Sequence, residues 1–265
     1  MSVPPPSGTV ELERRGDLAW LTFDRPEARN AFTREMYARL TDVCAEVDTD
    51  DAVRVVVVQG RGDQAFVSGS DIASVGRIRT REDALAYETH VERAIGALER
   101  ISKPTIALVR GVVTGGGAAL ALACDLRVGA DNARVGMPIA RTVGNTLSLR
   151  NFARMVETLG PSVTKQLVFT AELVDAETAL RLGFFNEVVP LPDIEARVTA
   201  LAGTVAANAP VTVRTAKLAV RRVLDARRDA MGSGEDLVEL AYLSEDFREG
   251  VAAFLEKRKP RWRGA

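Results

Sequence analysis

The chain has 265 residues, 46% of them hydrophobic and 27% charged, with a net charge of −1. That length allows one large domain with a sizeable core, and the balance is that of a soluble globular enzyme. Near-neutrality removes any broad field that would draw the chain to nucleic acid or to an anionic membrane.

Residues 1–8 read as a disordered lead, and prolines at 4, 5 and 6 with no apolar run up to Val10 argue against a signal peptide. Short strands are expected at 10–13 and 18–23 around a Gly16-Asp17 turn, and Asp24-Arg25-Pro26 breaks the pattern. Thr33 is the expected N-cap of a helix reaching about residue 47. The run Val-Arg-Val-Val-Val-Val at 53–58 reads as a strand buried on both faces. A glycine-rich loop over 60–69 then leads into Ser70-Asp71.

A long amphipathic helix at 81–101 is stopped by Lys103-Pro104, and a second buried strand follows at 105–109. A second glycine-rich turn at 111–117 opens a small-residue helix at 118–123, followed by a strand at 126–129. Beyond Pro138 the pattern is mostly helical to residue 182, with a short strand near 187–189. Only helices are expected afterwards, at 194–207, 210–228, 235–245 and 247–258. Alternating strands and helices imply an α/β core over 9–193, with a helical region at 194–265 that packs on the core or on another subunit.

No apolar run approaches the roughly 20 residues that a membrane span needs, and a cytoplasmic location is expected. Cys44 and Cys124 form no spaced framework and read as small buried side chains in a reducing compartment. With His90 the single histidine, no histidine-based metal site is expected. The cluster Lys257, Arg258, Lys259, Arg261 and Arg263 is either a solvated tail or an anion-binding patch.

The chemistry-bearing pattern is the pair of glycine loops, Ala65-Phe66-Val67-Ser68-Gly69-Ser70-Asp71-Ile72 and Gly111-Val112-Val113-Thr114-Gly115-Gly116-Gly117. Each follows a buried strand and opens a helix, which presents free backbone N–H groups at the helix's positive end. The second loop alone also fits a degenerate dinucleotide fingerprint, but Asp131 ends a strand with no clean βαβ unit behind it. Neither loop ends in Gly-Lys-Ser/Thr, which excludes a P-loop. A Ser70–His90 hydrolase pair lacks the Gly-x-Ser-x-Gly context.

Four segments taken in order resemble the enoyl-CoA hydratase/isomerase family, the crotonase superfamily, over most of the chain. They are the turn 24–32, the loop 65–72, the stretch 103–125 around Gly115-Gly116-Gly117, and the C-terminal run 245–260. The resemblance implies a crotonase-like spiral of ββα units with a C-terminal helical region. It implies an acyl-CoA thioester as partner, coenzyme A as part of the substrate, no prosthetic group, and a homotrimer or dimer of trimers. By it, the backbone N–H groups of Ser70 and Gly116 form an oxyanion hole. Arg29, Ala31, Ser68, Asp71, Ile72 and Gly117 would contact the substrate, and Phe254 and Lys257 would help cover the nucleotide.

The pattern departs from the family at the two hydratase glutamates, which act as general acid and base. Ala119 stands at the first position and Ile139, after Gly136-Met137-Pro138, at the second. No Asp or Glu occurs between Asp131 and Glu157, so no slip in alignment restores one. Replacement groups are sought at Arg141 and Asn145, which also read as structural loop residues. Tyr87, Glu88, His90 and Glu92 offer others, on a helix most of whose residues form a solvated face. Two functions stay open: an acyl-CoA enzyme using an enolate-like intermediate and a non-hydratase acid/base set, or a non-catalytic acyl-CoA-binding or scaffold subunit.

Overall fold

The computed structural model describes residues 8–265, so all but Gly8 of the expected lead lies outside the described residues. The chain opens with β1 (Thr9–Arg15), β2 (Leu18–Asp24) and α1 (Arg34–Thr49). Three ββα units follow. The first is β3 (Val55–Gly60) and β4 (Ala65–Val67) with α2 (Ile72–Val75) and α3 (Arg81–Arg100). The second is β5 (Thr105–Val109), β6 (Val112–Thr114) and α4 (Gly116–Ala123). The third is β7 (Leu126–Ala130) and β8 (Arg134–Gly136) with α5 (Ile139–Thr142) and α6 (Leu149–Thr170). The chain continues through β9 (Leu173–Asp175), α7 (Ala176–Arg181) and β10 (Glu187–Val189). It ends in α8 (Ile194–Ala207), α9 (Pro210–Asp229), α10 (Glu235–Tyr242) and α11 (Glu245–Leu255).

Each unit gives its first strand to one sheet and its second to another. The larger sheet runs β1-β2-β3-β5-β7-β10 and the smaller β4-β6-β8-β9. This alternation is the spiral of ββα units expected from the resemblance. The smaller sheet is absent from the sequence reading, which treats its first two strands as parts of glycine loops. They are three residues long, too short to show a period of two.

The apolar run at β3 behaves as its composition dictates. Val55 and Val57 pack with Ile194 and Val198 of α8 on one face of the sheet. Val56 and Val58 pack with α1, α3 and α4 on the other. Alternate side chains of a strand point to opposite faces, so a strand covered twice must be apolar throughout. A third cluster joins Val75, Ala84 and Val143 to Val238, Tyr242, Phe247 and Val251, which folds α10 and α11 back onto the core. By contrast, α9 buries a single side chain, that of Arg228. Cys44 and Cys124 are both free and buried, and burial pushes each thiol up to about 12.

Candidate active site

The two glycine loops meet. Gly69 has φ +106° and Gly115 has φ +53°, ψ −125°, and a Cβ on Gly115 would stand 3.7 Å from Gly69 Cα. The backbone at Gly115 is open to glycine alone at little cost. One residue on, a Cβ on Gly117 would stand 1.9 Å from Val67 O, so α4 packs directly against β4 through this glycine. Gly117, expected at the substrate, is therefore a buried packing residue.

Ser70 makes an isolated parallel bridge with Phe32. The Phe32 N–H donates to Gly69 O at 2.8 Å, and the Asp71 N–H donates to Phe32 O at 2.8 Å. A parallel bridge built from the groups flanking Ser70 turns the N–H of Ser70 itself to the opposite side. Gly116 is the first residue of α4, so its N–H has no intrahelical acceptor. Among the described residues, neither N–H donates to another backbone group. Both residues line one cavity of about 90 Å³, room for a few waters.

The same cavity is lined by apolar Ile139, Val143 and Leu147 and by polar Glu88, Asn145 and Tyr242. Glu88 is the only carboxyl lining it among the described residues. The Glu88 side chain is 7% exposed, and burial lifts its pKa to about 7 against the opposing pull of a hydrogen bond from Tyr242. Tyr242 donates to Glu88 Oε1 at 2.5 Å and accepts from Asn145 Nδ2 at 3.2 Å. Asn145 Oδ1 is buried without a partner among the described residues. Glu88 also lines a wider cleft of about 780 Å³, shared with Thr89, Glu92 and Ser148.

Ser70 Oγ is held between two phenols: Tyr87 Oη–H donates to it at 2.6 Å, and Tyr37 Oη shares a hydrogen bond of 2.8 Å with it in which either oxygen can be the donor. Tyr37 is stacked on Phe32, ring centroids 4.1 Å apart, and is 2% exposed. Burial raises the pKa of both tyrosines, so both keep their protons through the neutral range.

Of the sequence candidates, Ser68, Ser70, Ile72, Gly116, Tyr87, Glu88 and Asn145 reach this cavity. The other candidates stand elsewhere. His90 Nε2 lies 3.2 Å from Arg34 O and not at Ser70, so no Ser–His pair exists. Glu92 pairs with Arg154 at 2.7 Å. Arg141 is exposed and lines no part of the cavity. The Asp71 carboxylate caps the Ala73 N–H at 2.8 Å and pairs with Arg25 at 2.7 Å. The guanidinium of Arg25 also donates to Ala31 O at 3.2 Å. Arg29 is exposed beside Arg61 on a separate cleft of about 410 Å³. Phe254 and Lys257 are exposed at the end of α11. Two site residues, Tyr37 and Tyr242, escape the sequence reading. Both look like ordinary apolar-face residues of their helices.

No group of three or more His, Cys, Asp or Glu able to hold a metal occurs among the described residues. No helix among them is long and apolar enough to cross a membrane.

The enoyl-CoA hydratase/isomerase family model matches residues 13–265. The chain is 34% identical over 251 residues to a crotonyl-CoA hydratase of Syntrophomonas wolfei, covering 94% of this chain and 96% of that protein. It is 32% identical over 257 residues to an (E)-benzylidenesuccinyl-CoA hydratase of Thauera aromatica, covering 97% and 99%. A solved methylmalonyl-CoA decarboxylase in complex with 2-nitronate-propionyl-CoA superposes with a TM-score of 0.87 at 25% identity, covering 97% and 98%. The spiral of ββα units, the joined glycine loops and a family match spanning nearly every described residue agree, and the chain belongs to the enoyl-CoA hydratase/isomerase family.

Proposed function

We propose that the chain is an acyl-CoA enzyme that holds the thioester carbonyl on the N–H groups of Ser70 and Gly116 and moves a proton with Glu88. One observation carries this reading: a single cavity joins two unspent amides to one buried carboxyl with a pKa of about 7. Removing a proton beside a thioester places negative charge on its oxygen. Two preorganised donors stabilise that charge by roughly 3–4 kcal/mol each. A carboxyl with a pKa near the working pH is half ionised there, and so takes and returns a proton readily.

Ala119 and Ile139 replace the family's paired glutamates, so water addition is expected to be slow. A lone carboxyl suits reactions that need one proton-handling group. Isomerisation takes a proton from one carbon and returns it to another. Decarboxylation loses CO₂ to give the enolate, which then needs only protonation. The convergence of Glu88, Tyr242 and Asn145 on the cavity counts against a purely binding role, for which an apolar seal would serve. Coenzyme A would lie along Arg29, Ser68 and Ile72, with Phe254 and Lys257 over the nucleotide. Val211, Val220 and Val223 stand exposed on α9 and support assembly as a homotrimer or dimer of trimers. A monomer by sedimentation overturns that last point.

The test is a thermal-shift screen of short acyl-CoA thioesters, followed by product analysis. A ligand at 100 times its Kd adds about 2.7 kcal/mol of stability. Binding with turnover by wild type, and binding without turnover by Glu88→Gln, is expected. No shift with any thioester overturns the reading, and so does hydration of crotonyl-CoA at roughly 10 s⁻¹ or more.

A further inference from the structure

The hydroxyl cluster around Ser70 contains more hydrogens than it can use. Tyr37, Ser70 and Tyr87 carry one O–H each, and the two contacts to Ser70 Oγ consume two of those hydrogens. One is left over. It does not belong to Tyr87, which donates to Ser70. Nor does it belong to Tyr37, which is buried and has no other partner than Ser70 among the described residues. A phenol turned away from Ser70 there would strand its hydrogen. Both tyrosines therefore donate, both lone pairs of Ser70 Oγ are filled, and the hydrogen of Ser70 must point elsewhere. Ser70 lines the cavity and Tyr37 does not, although both hydroxyls stand near Gly116, with Tyr37 Oη 2.9 Å and Ser70 Oγ 3.6 Å from where a Cβ there would sit.

We propose that the Ser70 hydroxyl is a third donor to the thioester oxygen, aimed by Tyr37 and Tyr87, alongside the backbone N–H groups of Ser70 and Gly116. This rests on the reading that those two amides receive the oxygen. The tyrosines are positioning residues: by donating to Oγ they fix its orientation and polarise its O–H toward the cavity. Because both phenols keep their protons far above neutral pH, the arrangement persists across the working range. The donor acts only where charge accumulates, on the enolate oxygen, and so favours the enolate over the ketone form.

Acetoacetyl-CoA is the probe, since its enolate is read directly by near-ultraviolet absorbance. The apparent pKa of the bound thioester is compared with that of the free thioester. Wild type is expected to lower it, and Ser70→Ala, which keeps the amide, to undo about tenfold to a hundredfold of that enrichment. Ser70→Ala also strands two buried phenols, which destabilises the fold, so two further variants accompany it. Tyr37→Phe/Tyr87→Phe keeps the Ser70 hydroxyl. Tyr37→Phe/Ser70→Ala/Tyr87→Phe removes all three hydroxyls and leaves none orphaned. The triple variant is expected to enrich the enolate at least tenfold less than the double, with equal affinity for coenzyme A alone. Equal enrichment by the two overturns the third donor while leaving the two-amide reading standing. A wild type that binds acetoacetyl-CoA without enriching its enolate overturns the two-amide reading itself, and the third donor with it.

Discussion

Glu88 and Tyr242 meet at 2.5 Å although 154 residues separate them along the chain. One stands in the middle of α3 and the other is the last residue of α10. The C-terminal region therefore lines the candidate site within the same chain, beside the one carboxyl that lines its cavity among the described residues.

The stability of the protein should report the ionisation of Glu88. A carboxyl raised from about 4.5 to about 7 holds its proton more tightly folded than unfolded. Its contribution is full below pH 4.5 and is lost as pH rises through 7, because the unfolded chain ionises first. The loss amounts to roughly 3 kcal/mol at 1.36 kcal/mol per pKa unit. Glu88→Gln keeps an acceptor for Tyr242 and cannot ionise. Urea unfolding of both proteins at pH 5 and pH 8 should show the variant gaining on wild type by up to about 3 kcal/mol at the higher pH. Parallel behaviour of the two would mean that Glu88 ionises normally.

Tyr242→Phe should move the pH–rate profile without changing the chemistry. The Tyr242 hydrogen bond pulls the Glu88 pKa down, against burial. Its removal leaves burial unopposed, so the acidic limb of the profile should shift to higher pH by about one unit. An unmoved limb would assign the titration to another group.

How much of this was legible beforehand differs from residue to residue. The strands of the larger sheet and the long helices follow one by one from apolar runs and periodicity, though not their assembly into one sheet: the expected helix at 194–207 has the observed bounds of α8, and Thr33 caps α1 by accepting from the Met36 N–H at 3.2 Å. The second sheet was not legible, because strands of three residues carry no repeat. In the sequence Glu88 is one of several candidates on a helix most of whose residues read as a solvated face. A sharper signal was present. Ala84, Glu88, Val91, Ile95 and Leu98 lie at spacings of three and four on the buried face of α3, so Glu88 interrupts an apolar stripe. No local signal pairs it with Tyr242, because that contact exists only once α10 has folded back. The same limit hid Tyr37, whose hydroxyl gains meaning only beside Ser70.

Two neighbouring glycines should fail in different ways when changed to alanine. A Cβ on Gly117 would stand 1.9 Å from the carbonyl of Val67, a backbone atom that cannot yield without separating α4 from β4. Gly117→Ala should cost more than about 3 kcal/mol, the range of overpacked cores, and leave little folded protein at 37 °C. A Cβ on Gly116 would meet Tyr37 Oη at 2.9 Å and Ser70 Oγ at 3.6 Å. Gly116→Ala should fold, with a loss of about 1–2 kcal/mol, and lose about a hundredfold in kcat/KM by disturbing the donors. Circular dichroism melts and steady-state kinetics separate the two cases. Equal effects at both positions would place Gly116 in the packing rather than in the site.

A buried ionic cluster anchors the otherwise exposed α9. Arg154 of α6 pairs with Glu92 and Glu99 of α3 at 2.7 Å, and Arg228 of α9 pairs with Glu99 at 2.8 Å and with Glu157 of α6. Arg154 and Arg228 side chains are 1% and 2% exposed. Removing one partner from such a cluster strands its carboxylates and costs about 3–5 kcal/mol. Arg228→Met should bring faster amide exchange along 210–229 while α3 keeps its protection. Exchange unchanged along that helix would show that α9 is held by something other than Arg228.

The apolar lining of the cavity at Ile139 offers a gain-of-function test. Ile139 opens α5 immediately after Pro138, is 8% exposed and lines the cavity that holds Glu88. If this position corresponds to the second hydratase glutamate, Ile139→Glu adds a second carboxyl to a site that already has one. General acid–base groups contribute about 10²–10⁴-fold, so crotonyl-CoA hydration should rise at least tenfold over wild type. The new carboxyl is buried beside apolar Val143 and Leu147, and stability should fall by roughly 1–3 kcal/mol. Ile139→Gln controls for that cost: it should lose similar stability and gain no hydration. A variant that binds crotonyl-CoA as wild type does, yet hydrates it no faster, would show that this wall does not reach the β-carbon.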